Sequence, residues 1–311
     1  MEEHLFKHTP VMLWECIAGL NIKQNGVYVD GTLGGAGHST EIVKKLTSGK
    51  LIAIDKDNEA LTYSKEKLKN YSNVIFVKSD FKNFKNILAD LKISGVDGVL
   101  LDLGVSSHQI DTPNRGFSYR FNGELDMRMD QNQVLTAKQI VNTYSEADLA
   151  RIIYTYGEES FSRLIAKQIV KEREINEITT TMQLKEIIEK VIPKKFQVGG
   201  SVCKKTFQAL RIEVNGELNN LDVVLLDMVN ALNKGGRLCV ITFHSLEDRI
   251  VKNVFKELST DCICDKSVPI CVCNHKAQVK LINKKPILAT NTELEINKRS
   301  ASAKLRIVEK I

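Results

Sequence analysis

The sequence predicts an α/β fold in which a doubly wound, mostly parallel sheet carries an inserted helical domain. Two observations predict it. Short, almost continuously apolar runs alternate with helical patterns near the N-terminus, as in βαβ units whose strands are covered on both faces. The alternation then stops, helical patterns follow one another, and one more strand pattern occurs late in the chain. We therefore expect the late strand to complete the sheet begun at the N-terminus.

The apolar spacing places the individual elements. Strand patterns lie at residues 27–30, 51–55, 74–78, 96–102 and 235–245. Helical patterns lie at residues 39–46, 58–68, 146–156, 158–174, 182–191 and 207–232. Ser145, and Thr180 or Thr181, precede two of these helices and have the side chains that cap helix N-termini. The tail after residue 257 is irregular and basic, and no structure is predicted for it.

These patterns predict three segments along the chain. Residues 1–108 form the first part of the sheet domain, and residues 109–206 form the inserted helical domain, expected to recognise the substrate. Residues 207–311 form the second part of the sheet domain and end in the basic tail.

Composition narrows the class of protein. The 311 residues are 43% hydrophobic and 26% charged, which is ordinary for a globular protein. No apolar run approaches the roughly 18–20 residues that span a bilayer, and the acidic residues 1–4 do not resemble a signal peptide. Seven cysteines in such a chain predict reduced thiols. We expect a cytoplasmic protein without a membrane partner, and the net charge of +6 is compatible with a polyanionic partner.

The first strand pattern ends on Asp30 and enters a glycine-rich loop. A dinucleotide site requires G-x-G-x-x-G directly after the strand, and the glycines here do not fit that register. Asp30 would also repel a pyrophosphate. S-adenosylmethionine has no phosphate and carries a sulfonium and an ammonium, so an acid favours it, while its carboxylate suits a helix N-terminus. The alternative is a turn that binds nothing.

Side chains after the next strands favour the same cofactor. Asp55 ends the second strand, where a carboxylate accepts hydrogen bonds from ribose hydroxyls. Phe81 follows the third strand, where a ring suits an adenine, and Asp102 ends the fourth. Because open α/β sheets bind ligands at the carboxyl ends of their strands, these loops are expected to converge. The sequence therefore predicts an S-adenosylmethionine site at this edge.

Ten ordered segments resemble the bacterial 16S ribosomal RNA (cytosine-N4)-methyltransferase H family. They include DGTLGGAGHS (30–39), DLGVSSHQID (102–111), RGFSYR (115–120), LDMRMD (125–130), FQALRIEVNGEL (207–218) and FHSLEDRIVK (243–252). The resemblance runs from about residue 8 to 308. It implies a class I S-adenosylmethionine-dependent methyltransferase fold with an inserted helical domain. It also implies an RNA-binding enzyme of ribosome biogenesis and rRNA processing, which methylates the exocyclic N4 of a cytidine in the decoding region of small-subunit ribosomal RNA. The implied partner is that RNA within an assembled or assembling subunit.

The resemblance also implies site residues. The family's cofactor contacts, carried over by position, fall on Ala36, Gly37, His38, Asp55, Phe81, Asp102 and Gln109, and Asp30 and Gly34 shape the loop. Ala36 stands where the family usually has glycine, so we expect it to keep a negative φ. Two further departures concern RNA contacts: SVCKK (201–205) replaces the usual His-Pro-Ala-Thr-Arg, and Ala301 replaces an arginine.

Asp102 is the candidate catalytic residue. The N4 amine of cytosine is a poor nucleophile, because its lone pair is delocalised into the ring. Many amino-methyltransferases accept hydrogen bonds from such an amine with Asp/Asn-Pro-Pro-aromatic after the fourth strand, whereas this chain has Asp102-Leu103-Gly104-Val105. Our hypothesis is that Asp102 aligns the amine with the cofactor, although binding the cofactor competes for the same carboxylate.

A polar loop and several basic residues are candidates for substrate contact. The loop offers Arg115, Phe117, Tyr119, Asp126 and Arg128, and His244 follows the last strand. In one interpretation, the rings stack on a splayed base and the arginines bind phosphate. The alternative for the loop is a packed structure in which Asp126 and Arg128 pair. The alternative for His244 is a turn at a helix N-terminus. Basic residues that either bind RNA or form a solvated face are Lys194, Lys195, Lys204, Lys205, Arg211, Lys298, Arg299, Lys304 and Arg306.

Two C-x-C pairs, Cys262 with Cys264 and Cys271 with Cys273, lie in the tail. They have the chemistry to bind zinc, but C-x-x-C spacing is much commoner, and the sequence favours no metal site. Two alternative functions stay open from the residues: the same cofactor with DNA or protein as acceptor, and an RNA-binding protein without catalysis.

Overall fold

The computed structural model describes residues 10–197, 202–264 and 270–311. The acidic residues 1–4 lie outside the described residues. So does Ser201, the first residue of SVCKK (201–205), where the chain departs from the family's usual sequence. The chain divides into an α/β unit, which ends its first part at Gly104 and resumes at Asn220, and a helical unit, Val105–Asn219. In the described part of the chain, no helix combines the length and apolar character needed to cross a membrane.

The sheet lies in the α/β unit. Its strands within the described residues are β1 Val27–Asp30, β2 Lys50–Asp55, β3 Val74–Lys78, β4 Val96–Asp102, β5 Leu232–Thr242, β6 Val279–Leu281, β7 Ile287–Leu288 and β8 Lys304–Lys310. The spatial order is β3-β2-β1-β4-β5-β8-β6, and β7 also pairs with β8. Strands β1 to β5 are parallel, and β8 is antiparallel to β5. The predicted doubly wound, mostly parallel sheet is confirmed.

The helices fall into the two units. Those of the α/β unit before the insertion are α1 Leu13–Leu20, α2 Gly37–Lys44, α3 Asn58–Lys67 and α4 Phe84–Asp90. The helical unit contains α5 Ser107–Asp111, α6 Ala137–Thr143, α7 Glu146–Gly157, α8 Ser162–Arg173, α9 Thr181–Val191 and α10 Lys204–Asn215. The α/β unit resumes with α11 Leu221–Ala231, α12 Ser245–Leu258 and α13 Asn291–Ile296.

The strands are buried on both faces, as their continuous apolar sequences predict. In β2, Leu51 and Ala53 pack into a cluster with α1, α2 and α3, whereas Ile52 and Ile54 pack into the opposite cluster with α4, α11 and α12. This alternation along one strand places apolar side chains on both faces of the sheet, and each face is covered by helices.

The segment predicted as one helix over residues 207–232 is two helices. Gly216 ends α10 with φ +56°, a left-handed conformation that glycine adopts readily. Phe207, Leu210 and Val214 of α10 pack in the core of the helical unit. For this reason residues 207–219 stay with that unit, and its bounds of 105 and 219 differ from the predicted 109 and 206.

The prediction of an irregular tail is wrong for the residues from Val279 onward, which form three strands and a helix. Strand β8 pairs with β5 over six registered residue pairs, from Arg237 with Glu309 to Thr242 with Lys304. Leu305 and Ile307 point into one buried cluster and Val308 into the other, so the tail completes both hydrophobic layers. The signal in the sequence was a short alternation of apolar and polar residues, which is typical of a strand.

Candidate functional site

Three acidic residues meet at the carboxyl edge of the sheet, because β2, β1 and β4 are neighbours. Asp30 ends β1, and its register partners are Ala53 in β2 and Leu100 in β4. Each partner lies two residues before an acid, Asp55 or Asp102, that ends its own strand. The chain passes from β1 to β2 on one side, and then crosses from β3 to β4 on the other side of β1. The strand order therefore reverses at β1, and open α/β sheets bind ligands at such a switch point.

Asp30 is buried and holds the loop that follows β1. Its Oδ1 accepts a hydrogen bond from Thr32 N at 3.1 Å, and its Oδ2 accepts one from Ser39 Oγ at 2.7 Å. Burial raises the pKa of Asp30 to about 6, although both hydrogen bonds favour the charged form. Asp30 therefore ties the start of the loop to the first turn of α2.

The glycine loop is held from two further sides. Gly34 has φ +47°, and its N–H donates to Asp55 Oδ2 at 2.8 Å. From α3, Ser64 Oγ donates to Gly34 O at 2.8 Å and Lys67 Nζ donates to Gly35 O at 2.7 Å. Ser64 and Lys67 were not predicted as site residues, although their spacing of three residues on α3 places them on one helix face.

The carboxylate of Asp55 is held in place by backbone N–H groups and can still accept further hydrogen bonds. Its Oδ1 accepts from Asp57 N at 2.9 Å, so each carboxylate oxygen holds one backbone N–H. Burial raises the pKa of Asp55 to about 6, and the nearby charges of Asp57 and Asp30 raise it further. A carboxylate has about four acceptor positions, so two remain for hydroxyl groups of a ligand.

The expectation that Ala36 keeps a negative φ is wrong. Ala36 has φ +54° and ψ 31°, a left-handed conformation, and is the N-cap of α2. Its N–H donates to Leu33 O at 2.8 Å, which closes a tight turn before the helix. The conformation costs an alanine about 1–2 kcal/mol. Ala36 provides no side-chain cap to the N-terminus of α2, where Gly37 is the first residue, and such an N-terminus suits an anionic ligand group.

Asp102 differs from the other two acids because one of its oxygens is buried without a partner. No donor among the described residues reaches Oδ1. Burial raises the pKa of Asp102 well above its ordinary value, and the charges of Asp30, Glu247 and Glu293 raise it further. An unsatisfied buried carboxylate oxygen is costly, so Oδ1 marks a position where a ligand donor would bind.

His38 lies beside Asp102. Its Nε2 is 3.0 Å from Val11 O, and since a carbonyl only accepts, the ring proton is on Nε2. Its Nδ1 is 4.0 Å from Asp102 Oδ2. This arrangement places His38 at the site, with its ring orientation fixed by the backbone.

Phe81 begins a turn of 3-10 helix, Phe81–Asn83, directly after β3. A Cβ added at Gly31 would collide with Leu101 and lie 3.3 Å from Phe81 Cβ, so Phe81 begins its side chain beside the loop that follows β1. The structure thus brings Asp30, the glycine loop, His38, Asp55, Phe81 and Asp102 to one edge of the α/β unit.

His244 caps a helix, which was the alternative interpretation of that residue. Its Nδ1 accepts from Glu247 N at 3.4 Å at the start of α12. Its Nε2 is 3.1 Å from Glu247 Oε1 but lacks the alignment of a hydrogen bond. Glu247 is buried and accepts from Phe243 N at 2.9 Å, so it holds the turn after β5.

Gln109 lies in the helical unit. In the cap of α5, Ser106 N donates to Gln109 Oε1 at 3.0 Å, and Gln109 N donates to Ser106 Oγ at 3.2 Å. Ser106 and Gln109 thereby form a reciprocal capping box, which explains why a glutamine stands three residues after the serine. Its predicted cofactor contact stays a prediction.

The loop candidates have structural partners within the helical unit. Arg128 binds Asp126 with two hydrogen bonds of 2.8 and 2.7 Å, as the packed-loop interpretation expects. The buried Arg115 donates from Nη2 to Arg128 O and Met129 O. The rings of Phe117 and Tyr119 pack against the helical core. These side chains shape the loop, and their contact with a substrate stays a prediction.

Part of the predicted basic run is engaged in ion pairs. Arg211 forms two hydrogen bonds to Glu217, of 2.8 and 2.9 Å. Arg306 and Lys304 bind Asp248 at 2.7 and 3.2 Å. The exposed Lys205 lies 3.8 Å from Glu159. Other exposed candidates are Lys194, Lys195, Lys204 and Lys298.

Four cysteines that the sequence analysis assigned no metal lie together in the α/β unit. The sulfurs of Cys262, Cys264, Cys271 and Cys273 are all within 4.8 Å of one another. This cluster is separate in sequence from the acidic edge.

Comparison with known proteins agrees with the resemblance found in the sequence. Residues 5–311 match the model of the MraW methylase family. A protein of Finegoldia magna named ribosomal RNA small subunit methyltransferase H is 52% identical, over 98% of this chain and 99% of its own length. A Clostridium botulinum protein of the same name is 56% identical over the same shares. A crystal structure of an rRNA methylase from Streptococcus thermophilus covers 93% of this chain and 89% of its own at 10% identity, with a TM-score of 0.37.

The pH dependence of stability tests the burial of Asp30. Its pKa of about 6 in the folded chain lies above the ordinary 3.8, so the folded state holds a proton that the unfolded chain has released. The unfolding free energy contributed by Asp30 therefore falls as pH rises from about 4 to about 6. The difference in unfolding free energy between the native chain and Asp30→Asn, measured by urea denaturation, is expected to fall by about 3 kcal/mol across that window.

The exposed Asp90 supplies the matched control, since Asp90→Asn makes the same chemical change in α4. Its difference from the native chain should stay nearly constant over that pH window. A difference for Asp30→Asn that is equally flat, or that grows with pH, would contradict the burial argument.

Proposed function

Because the chain belongs to the MraW methylase family, we propose that it transfers a methyl group from S-adenosylmethionine to the exocyclic N4 of a cytidine in the decoding region of 16S ribosomal RNA. The relatives that match nearly its whole length are named for the small ribosomal subunit. The observation that carries the proposal is the unpaired, buried Oδ1 of Asp102 among acids at the sheet switch point. We place the reaction in the cytoplasm, on an assembled or assembling subunit.

The charges at the sheet edge fit a cationic methyl donor. Asp30, Asp55 and Asp102 all have raised pKa values, since each is buried. A positive ligand offsets the cost of burying these charges and their repulsion by one another, whereas the negative charge of a pyrophosphate adds to that cost. The loop over residues 31–36 contains no lysine or arginine that would bind a phosphate.

Separate groups would hold the parts of the donor. When bound, S-adenosylmethionine supplies a methyl group on a positively charged sulfur. The Gly37 end of α2 receives the carboxylate, because helix N-terminal N–H groups bind anions. The two remaining acceptor positions of Asp55 receive the ribose hydroxyls, and Phe81 lies where an adenine ring would pack. These assignments rest on the position of each group at the carboxyl edge.

Asp102 acts on the acceptor amine. A hydrogen bond from the N4 amine to Oδ1 draws electron density toward the nitrogen and orients its lone pair. Burial raises the pKa of Asp102 well above its ordinary value. A positively charged sulfur beside it would lower that pKa and so favour the anionic carboxylate, which is the stronger hydrogen-bond acceptor. The carboxylate then holds the proton that the amine loses.

The identity of the methylated nucleoside tests the proposed reaction. Small ribosomal subunits and naked 16S ribosomal RNA are each incubated with the full chain and S-adenosylmethionine labelled in the methyl group. The RNA is digested, and the nucleosides are identified by mass spectrometry. We expect the label in N4-methylcytidine. Label in another nucleoside, or transfer only to DNA or protein, would contradict the proposal.

Asp102→Asn tests the role of the unpaired oxygen. We expect turnover to fall about 10²–10⁴-fold, the range typical of a lost proton acceptor. Donor affinity, measured by calorimetry, should change only a few-fold, about 1 kcal/mol, because other groups bind most of the donor.

The same change at the exposed Asp90 should leave both quantities unaltered. Equal losses of turnover and donor affinity in Asp102→Asn would show that Asp102 only binds the donor, and would defeat this role.

A further inference from the structure

Residues 259–278, here called the connector, join α12 to β6, and the structure describes residues 259–264 and 270–278 of it. Its described residues contain neither helix nor strand. The side chains of Ile263, Ile270 and Val272 are 52%, 75% and 73% exposed, so hydrophobic burial does not fix it. Connections of this length without secondary structure are uncommon in compact domains. Another constraint is needed to hold this connector.

Hydrogen bonds bring the two ends of the connector together. Gln278 N donates to Leu258 O at 2.8 Å. His275 Nε2 lies 3.0 Å from Glu257 O, the acceptor of its ring proton. Because these contacts close the base, the cysteine pair that follows α12 faces the pair that precedes β6.

The four sulfurs have the separations of a metal site. Cys271 Sγ is 3.5 Å from Cys273 Sγ, and Cys273 Sγ is 3.9 Å from Cys262 Sγ. Four sulfurs bound at about 2.3 Å to a tetrahedral zinc ion lie about 3.8 Å apart. Sulfurs joined in a disulfide lie about 2.05 Å apart. The observed separations fit four ligands around one ion and do not fit disulfide bonds.

Backbone donors surround the sulfurs. Val272 N donates to Cys264 Sγ at 3.4 Å. The backbone N–H groups of Ile263 and His275 donate to the sulfur of Cys273. Hydrogen bonds from N–H groups stabilise thiolates and orient metal ligands, so the connector supplies the outer partners that metal sites need.

We propose that Cys262, Cys264, Cys271 and Cys273 bind one zinc ion in a closed tetrathiolate site that cross-links the connector. Soft thiolate ligands select zinc over magnesium or calcium. Four protein ligands leave no open position, which is typical of structural zinc and not of catalytic zinc. The site therefore orders the connector and takes no part in methyl transfer. It replaces the expectation from sequence that the chain has no metal site.

Elemental analysis of the full chain, purified under reducing conditions without chelator, tests the proposal. We expect about one zinc ion per chain. The double variant Cys271→Ser/Cys273→Ser should lose that zinc, and the control Cys203→Ala, at a buried cysteine of the helical unit, should keep it. A native chain that stays free of zinc after zinc is added, or that carries iron in equal amount, would overturn the assignment.

Thiol alkylation of the native chain gives a readout that does not depend on folding of a variant. Cys262 and Cys271 are exposed, so an alkylating reagent reaches their sulfurs unless a metal covers them. With zinc present, mass spectrometry should show slow alkylation at all four positions, and a chelator should make it fast. Equal rates with zinc and with chelator would refute the site, whether or not the chain methylates RNA.

Discussion

The constraint on which the α/β site depends is the burial of three carboxyl groups at the ends of adjacent parallel strands. The strand order β2-β1-β4 brings Asp55, Asp30 and Asp102 to the same edge. Burial raises the pKa of each, and the charge of Asp30 further raises the pKa of Asp55 and of Asp102. Charge of this kind persists in a folded protein when hydrogen bonds, protons or a positive ligand offset it. The edge is therefore prepared for a cation.

The scaffold satisfies these acids unequally, and the inequality separates structure from chemistry. Asp30 accepts one hydrogen bond on each oxygen, from Thr32 N and Ser39 Oγ, and so ties the glycine loop to α2. Asp55 accepts from two backbone N–H groups, which positions the loop and leaves acceptor capacity. Asp102 keeps one oxygen without a partner among the described residues. We therefore assign Asp30 a structural role and Asp55 a role both in holding the loop and in binding the donor. Asp102 has an oxygen available for the reaction.

The sequence predicted the sheet and its acidic edge because apolar runs and strand-terminal acids are local signals. It did not predict which carboxylate oxygen is unpaired, since that depends on side chains from distant segments. The predicted negative φ of Ala36 was wrong, because the turn before α2 gives this position a φ of +54°. The end of the tail was not predicted as a strand, because β8 forms by pairing with β5, which is remote in sequence. The cysteine spacing suggested no metal, whereas the folded connector brings all four sulfurs together.

Calorimetric titration of the full chain with S-adenosylmethionine and with a nicotinamide dinucleotide tests the cationic-donor site most directly. The account predicts about one S-adenosylmethionine bound per chain, with affinity that weakens as pH falls through about 6 because the acids take up protons. The dinucleotide should give no binding heat. Binding of the dinucleotide in its place, or S-adenosylmethionine affinity that rises as pH falls, would contradict a site built from carboxylates for a positive methyl donor.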